Sequence, residues 1–508
     1  MNFKIILLVL IAYLNLNATF SQVTFQKVYP GITPVLIESE IMQVEDKGYL
    51  IGNIEELLRT DSLGQTHWMK KFTNGSFSVT FTSASSAQSG YVLVASHYLF
   101  KLNYNYNNVW IKDLTGLTGP GISAGLYTVR ETPDNGFIIG GGITFSSIPD
   151  ERFLLIKTDS SGVVQWSEVY DMPLRDNFAF LTLTPDHGFL LCGSSWSLIN
   201  PIPLSDIVIL KVDSLGNSQW SKHYAVLNTS SYGYHITSTS DGNSVLAVSR
   251  YPHELLLKID SLGNVLWEKY YEVELNGAFR WVEETSDGGL IVAGDMEGID
   301  SGFVGRTCLL VKTDSAGNVE WARELGGYSD IWAGCVKQTD DGGYVISVRR
   351  PDNAGNDAIG IIKTDSLGHT NGCLEGVPIV TVTNINDTVI NVPVTDSIIN
   401  VVSFPMTVNP PLIGSEITLC APVGIKEMET EPESGIYPNP NNGTFSIISY
   451  SHPIQIFRIS SLSGQVIFSK DKICNNSYEC KLNLPDGIYI AEVFVNGNAY
   501  RSKISIIH

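Results

Sequence analysis

LLKIDSLGNVLW, residues 256–267, is the stretch that decides the fold. An apolar run ends at Asp260, a Ser-Leu-Gly turn follows, and a second short segment closes on Trp267. In such a turn aspartate accepts a hydrogen bond from the backbone two residues on, and Gly263 tolerates a positive φ at no steric cost. The twelve residues encode two strands joined by a tight turn. The same text returns as LLRTDSLGQTHW ending at Trp68, LIKTDSSGVVQW at Trp166, ILKVDSLGNSQW at Trp220 and LVKTDSAGNVEW at Trp321. A degenerate copy, LFKLNYNYNNVW, ends at Trp110. IIKTDSLGHTNG keeps Asp365 and Gly368 but lacks the tryptophan strand.

Between these copies lies a second repeated half, a turn followed by an apolar strand. It reads DKGYLIG from Asp46, QSGYVLV from Gln88, DNGFIIGG from Asp134, DHGFLLCG from Asp186, DGNSVLAV from Asp241, DGGLIVAG from Asp287 and DGGYVISV from Asp341. Self-similarity at 40–50 residues with several strands per unit describes a propeller. The expected fold is all-β: a seven-bladed β-propeller over 22–373, four strands per blade, with the tryptophans packed between neighbouring blades. The last unit lacks its fourth strand, and FQKVY at Phe25–Tyr29 aligns with WSEVY at Trp166–Tyr170. The N-terminal strand is therefore expected to close the ring by pairing with Ile361–Asp365. An unclosed ring would leave two raw sheet edges.

The conserved-looking turns join strands one to two and three to four, so they share one face of the ring. The loops that differ between units belong to the opposite face: Gly142–Glu151, Ser194–Ser205, Asp295–Gly305 and Arg349–Asp357. They carry Phe145, Trp196, Phe303 and Arg349, with Tyr251 and His253 in the shorter loop between. Aromatic and arginine side chains on loops are typical binding anchors. These six residues are the candidate ligand site. The competing reading folds Trp196 back onto its own blade.

The formal charge of −20 argues against a nucleic-acid partner, whose phosphates reward clustered Lys and Arg. MNFKIILLVLIAYLNLNATFSQ reads as a Sec signal peptide over 1–21, too short to cross a bilayer, and no later run is long enough to span one. Seven cysteines in an exported chain permit disulfides. Cys192, Cys308 and Cys335 lie in apolar strands and are expected to be buried thiols. Cys373 with Cys420, and Cys474 with Cys480, are the candidate pairs. No spacing suits a metal, and no cofactor is implied.

Residues 374–423 hold alternating β-like segments with prolines and read as a β-rich spacer. Residues 424–435, GIKEMETEPESG, are a charged linker. From Ile436 four motifs follow in order: IYPNPNNGTFSI, ISSLSGQVIF, LPDGIYIAEVFVNG and YRSKISII. They include Tyr437-Pro438-Asn439-Pro440 and Gly487-Ile488-Tyr489. This text resembles the type A sorting domain of the type IX secretion system, over 436–508. Its alternating strands and Pro-Asn and Asp-Gly turns suit a small antiparallel sandwich. The resemblance implies that the secretion machinery is a partner. It further implies export across the outer membrane, then removal of this domain and release or attachment at the cell surface.

Catalytic signals are sparse. Gly121-Ile122-Ser123-Ala124-Gly125 matches a nucleophile elbow, but Pro120 precedes it and a strand follows where a helix is needed. The turns resemble those of sialidases and quinoprotein dehydrogenases, in each case with the Asp–Gly spacing one residue off and only at scaffold positions. Asp-Ser-Leu, Asp-Ser-Ala and Asp-Thr-Val, at Ser62, Ser214, Ser261, Ser315, Ser366 and Thr388, resemble an O-glycosylation signal of bacteria that use this export route. As plain text they are the openings of tight turns. Two functions stay open: a non-catalytic binding or adhesion module for a glycan or surface protein, and a glycan-active enzyme.

Overall fold

The computed structural model describes residues 22–420 and 434–506 apart from loop gaps, the longest at 31–39, 72–80, 197–203 and 406–416. Residues 1–21, expected to be a signal peptide, and the linker up to 433 lie outside the described residues. The chain divides into two compact units, Met1–Pro422 and Val423–His508.

In the first unit, seven antiparallel sheets follow one another among the described residues, numbered in chain order by their first strands: Ile41–Gln43, Phe81–Ala87, Ile122–Glu131, Asp176–Leu183, Tyr232–Ser238, Gly277–Glu284 and Trp332–Gln338. Sheet 5 shows the plan: strands Tyr232–Ser238, Ser244–Arg250, His253–Ile259 and Val265–Val273 lie side by side in chain order. This is the repeat of a β-propeller. Apolar clusters form across neighbouring sheets, as where Val92, Val94 and Leu99 of sheet 2 meet Val129, Ile139 and Leu154 of sheet 3. Both faces of each inner strand are therefore buried, which explains runs such as LLCG and LIVAG with no polar alternation.

The turns work as the sequence suggests. Asp260 Oδ1 accepts from the amides of Leu262 at 2.9 Å and Asn264 at 2.8 Å. Asn103 does the same for Asn105 and Asn107, which is how the degenerate copy survives. A buried cation two residues before the turn then ties it to the neighbouring Asp-Gly turn. Lys157 meets Asp134 at 2.8 Å, Lys211 meets Asp186 at 2.9 Å, Lys258 meets Asp241 at 2.7 Å and Lys363 meets Asp341 at 2.9 Å. Burial opposes ionisation of Asp134, but the bonds from Lys157, Thr132 and Gly136 hold its carboxyl at about 2.

Sheet-to-sheet register is set by the fourth strand. Tyr170, Tyr224 and Tyr271 donate their hydroxyls to the carbonyls of Gly216, Gly263 and Gly317 in the next sheet's turn, at 2.7, 2.8 and 2.6 Å. A Cβ placed on Gly263, whose φ is 72°, would lie 2.7 Å from the Trp220 ring. Trp110, Trp166, Trp220, Trp267 and Trp321 thus seat on the next sheet's turn glycine, as packing between neighbouring units requires, while Trp68 meets Tyr106 in the glycine-less degenerate turn.

The strand Phe25–Tyr29 pairs antiparallel with Asp357–Thr364, Phe25 opposite Lys363 and Tyr29 opposite Ile359. That is two residues earlier than the expected Ile361–Asp365. Asp365 is spent opening its turn, its amide donating to the His369 carbonyl at 2.9 Å, and is not free for a ladder. Phe25 takes the tryptophan position, 2.6 Å from where a Cβ on Gly64 would stand. The Tyr29 hydroxyl donates to the Gly64 carbonyl at 2.6 Å. The last sheet therefore grips the first with the same two contacts that join sheet 3 to 4, 4 to 5 and 5 to 6.

The stretch read as a spacer supplies strands, but they do not follow the sheets; they join them. Glu375–Gly376 pairs on sheet 6, Val380–Asn384 on sheet 5, Thr388–Asn391 on sheet 4, Thr395–Ile398 on sheet 3 and Val402–Pro405 on sheet 2. Ile417–Cys420 then pairs with Phe25–Tyr29 of sheet 7. Each lies antiparallel to an outermost strand, so the segment runs backwards round the sheets as a belt. The alternation Val380-Thr381-Val382-Thr383 explains it: the valines are half-buried and the threonines exposed. An unpaired outer strand is a standing template for exactly such an addition in cis.

The second unit has a three-stranded and a four-stranded antiparallel sheet sharing one apolar cluster that includes Phe445, Ile447, Phe457, Ile459, Val493 and Ile504. Cys480 is a free thiol buried in it, pushed up to about 11 by burial, so the expected staple to Cys474 is not formed. An apolar strand position facing Phe445 holds the thiol inward instead. Cys192, Cys308 and Cys335 are buried free thiols, as expected. The side chains of Cys373 and Cys420 lie outside the described residues.

Candidate functional site

The first strands of the sheets meet one another directly. Arg130 of sheet 3 grips Glu40, just ahead of sheet 1, with two bonds of 2.9 and 3.1 Å. Lys337 of sheet 7 lies 3.4 Å from Glu40 and pairs closely with Glu283 of sheet 6. Arg130 also covers the Phe180 ring of sheet 4 at 4.8 Å, and Phe180 stands 4.9 Å from Trp281 of sheet 6. His235 of sheet 5 stacks on Trp281 at 3.7 Å. Burial keeps that imidazole well below its ordinary pKa, hence neutral. Two carboxylates and two cations cancel here. Glu40 is 3% exposed. The charges of this circuit are already answered.

The ends of the sheets opposite the turns are different. The first strands of sheets 2 to 7 each carry a register shift, a β-bulge that re-aims a residue. The register shifts fall between Gly233 and His235, and between Phe279 and Trp281, so Tyr234 and Arg280 are the extra residues. Arg280 lies over Tyr234 at 4.8 Å and over Trp332 of sheet 7 at 5.5 Å. Arg306 stacks on Trp332 at 4.2 Å. Both guanidiniums bond to the buried carboxylate of Asp295, Arg280 Nε at 2.8 Å. Beside them Glu254, also buried, accepts from the Phe279 amide at 2.6 Å. Burial, reinforced by Asp295, lifts its carboxyl to about 8, so it is neutral at physiological pH.

Arg349 stands opposite Trp332 in the ladder and pairs with Asp357, so it joins this group. The other expected residues stay on their own sheets. Phe145 ends its strand half-buried beneath the Arg152 guanidinium, 5.7 Å away. Trp196 ends Phe189–Trp196 half-buried opposite Ser205. His253 begins its strand 5.2 Å from the Tyr270 ring. Phe303 begins Phe303–Thr313 with its side chain outside the described residues, and Tyr251 lies outside them altogether. All the placed residues sit at strand ends away from the turns. Ser123 lies within the strand Ile122–Glu131, in no elbow.

Sequence reasoning passed over Tyr234, Arg280, Arg306 and Trp332. For Tyr234 and Arg280 the one trace in the sequence is a position of the first strands that varies between units as Tyr127, Ala179, Tyr234 and Arg280, although nothing in that text marks it as a bulge.

The tail at 435–507 matches the family model described as a secretion system C-terminal sorting domain. These residues are a type IX sorting domain. The chain is accordingly exported, to the cell surface or the medium. The sorting domain begins within one residue of the boundary read from the motifs. Its Tyr489 hydroxyl caps the Pro485 carbonyl at 2.9 Å, inside the Gly-Ile-Tyr motif.

No curated protein matches the chain. Among solved structures, a mitotic checkpoint complex chain is similar at 9% identity over 69% of this chain and 94% of that one, TM-score 0.44. Drosophila Plexin A in complex with Semaphorin 1b is similar at 8% identity over 67% and 88%, TM-score 0.33. A putative gluconolactonase is similar at 11% over 70% and 97%, TM-score 0.32. Likeness at this level decides nothing about activity. No helix among the described residues is long and apolar enough to cross a membrane.

Proposed function

We propose that the seven sheets close into one seven-bladed ring, and that the exported ring is a non-catalytic binding module. Its ligand is a glycan or surface protein seated at the ends opposite the turns. Closure is supported by the circuit through the first strands of five sheets and Glu40, just ahead of a sixth, and by the Tyr29–Gly64 contact. The binding reading is carried by one contrast: the central carboxylates are neutralised by Arg130 and Lys337, while Trp332, Arg349 and Trp196 remain half-exposed. Half-exposed aromatic and arginine groups on a rigid scaffold are what binding anchors require. The tail's two sheets fold as a small sandwich around Phe457.

The test is a glycan and protein array probed with the full chain from Gln22. Trp196→Ala and Arg349→Ala are each expected to weaken capture by ~1–2 kcal/mol with the fold intact. Capture that survives both, but is lost when Ser62 and Ser261 are altered, would place the site on the turn face.

A glycan-active enzyme is the second reading. It draws on Glu254 beside Asp295, since a neutral carboxyl next to a second carboxyl is the arrangement hydrolysis of a glycosidic bond uses. Against it, both are buried and already bonded, Glu254 to a backbone amide and Asp295 to two guanidiniums. Loss of a measured hydrolysis in Glu254→Gln would establish the enzyme.

A further inference from the structure

The belt makes pairings that the ring itself does not need, since four strands per sheet and the Phe25–Tyr29 strand already complete it. Its course is systematic: five consecutive pairings step backwards from sheet 6 to sheet 2, and the sixth ends on the closing strand. Phe25–Tyr29 is thereby held on both edges, by Asp357–Thr364 and by Ile417–Cys420. Sheet 1 alone has no belt strand among the described residues.

The belt is also anchored by more than backbone pairing. Arg250, at the end of the second strand of sheet 5, donates from Nη1 to Asp387 of the belt at 2.7 Å and from Nη2 to the same carboxylate. The Asp387 amide donates to Glu268 at 2.8 Å. Between the strands, the Ile385 amide donates to the Glu268 carbonyl at 3.1 Å and the Val392 amide to the Ser221 carbonyl at 3.0 Å. At its start Glu375 accepts from His369 at 3.0 Å and from the Thr370 amide. Val392 is buried and Ile385 packs against the main core. Surface decoration does not bury an arginine, an aspartate and a valine.

We propose that this belt is a clasp: it holds the ring shut by tying the outer strands of six sheets together and pinning the closing strand from outside. The proposal rests on the closed ring proposed above. Because the outer strands of the sheets it joins cannot move apart without breaking a belt pairing, the belt opposes opening of the ring and raises the unfolding barrier. Its sequence position matters as well. The belt lies between the ring and the sorting domain, so removal of the sorting domain leaves the clasp on the mature protein.

The test uses the full chain from Gln22 with a protease recognition sequence replacing residues 399–401, so that the belt is cut only after folding. Unfolding in guanidinium, followed by tryptophan fluorescence, is expected to be at least ~10-fold faster in the cut than in the intact protein. Hydrogen exchange is expected to rise at Phe25–Tyr29, far from the cut in sequence. As a second variant, Val392→Pro removes one anchoring donor and should act in the same direction, while Thr383→Ala, on the exposed side, should not. Equal unfolding rates with unchanged exchange at Phe25–Tyr29 would overturn the clasp. Rapid exchange at Phe25–Tyr29 already in the intact protein would overturn the closed ring instead.

Discussion

Arg250→Met is the perturbation that separates a buried ionic anchor from ornament. Arg250, Glu268 and Asp387 have fully buried side chains. The guanidinium bonds Ser231 Oγ at 2.7 Å, Glu268 at 3.1 Å and both oxygens of Asp387. Methionine fills similar volume but leaves Asp387 buried without its counter-charge, a change that costs roughly 3–5 kcal/mol when one partner of a buried pair is removed. Glu268 adds little to that cost. Burial, with Asp387 beside it, lifts its carboxyl to about 8, so at pH 7 it is largely neutral. Removing the charge of Asp387 as well should therefore restore most of the loss, and Arg250→Met with Asp387→Leu is expected to recover to within about 1–2 kcal/mol of the parent. The assay is equilibrium denaturation together with hydrogen exchange of peptides covering 380–391. The single variant should lose stability and exchange fastest in that stretch. A single variant as stable as the parent, or a double variant no better than the single, would refute the assigned charges.

Four further outcomes follow from the same contacts. Tyr29→Phe deletes the hydroxyl that reaches Gly64 and should lower stability by about 1 kcal/mol, measured by denaturation, with deletion of 22–30 causing aggregation through the opened edge. Gly263→Ala puts a Cβ against Trp220 at positive φ and should cost more than ~1 kcal/mol, whereas Gly242→Ala meets no neighbour and should cost less. The melting temperature should have a maximum in mildly acid solution. Asp134, Asp186 and Asp287 are held at about 2, so their contribution is full above their unfolded pKa near 4 and is lost as pH falls towards 2. Glu254 and Glu268 are raised to about 8, so the native state binds more protons than the unfolded chain between about 4.5 and 8, and stability declines as pH rises through that window. Intact-mass analysis of exported protein should find a C-terminus upstream of about residue 436 and no Tyr489 peptide.

The parts legible in the sequence are those where one residue type serves one local purpose. Asp260 and Gly263 announce a turn wherever they stand, and Trp267 four residues on announces the strand that packs on the next unit. FQKVY could be placed because Phe25 and Tyr29 occupy the tryptophan and tyrosine positions of WEKYY. The belt was legible only as strand: Val-Thr alternation reveals a half-buried face but not which edge covers it, because pairing partners more than 100 residues apart leave no local mark. The site was legible in the same partial way. Arg349 and Trp196 sit on loops whose variability is visible by comparing units. Arg280 and Tyr234 owe their direction to bulges, and a bulge cannot be read from the strand that contains it. Nor could Asp387 be matched to Arg250, since a lone Asp between two β-like segments looks like a turn residue.

In the proposed role, the exported ring captures a ligand without altering it. The direct measurement is to incubate the full exported chain with each ligand it retains on the array. The bound ligand is then released and its mass compared with the starting material. A binding module should show saturable capture, weakened by Arg349→Ala, and release a ligand whose mass is unchanged after prolonged incubation. Recovery of cleaved or eliminated products, formed by the parent and not by Glu254→Gln, would contradict it.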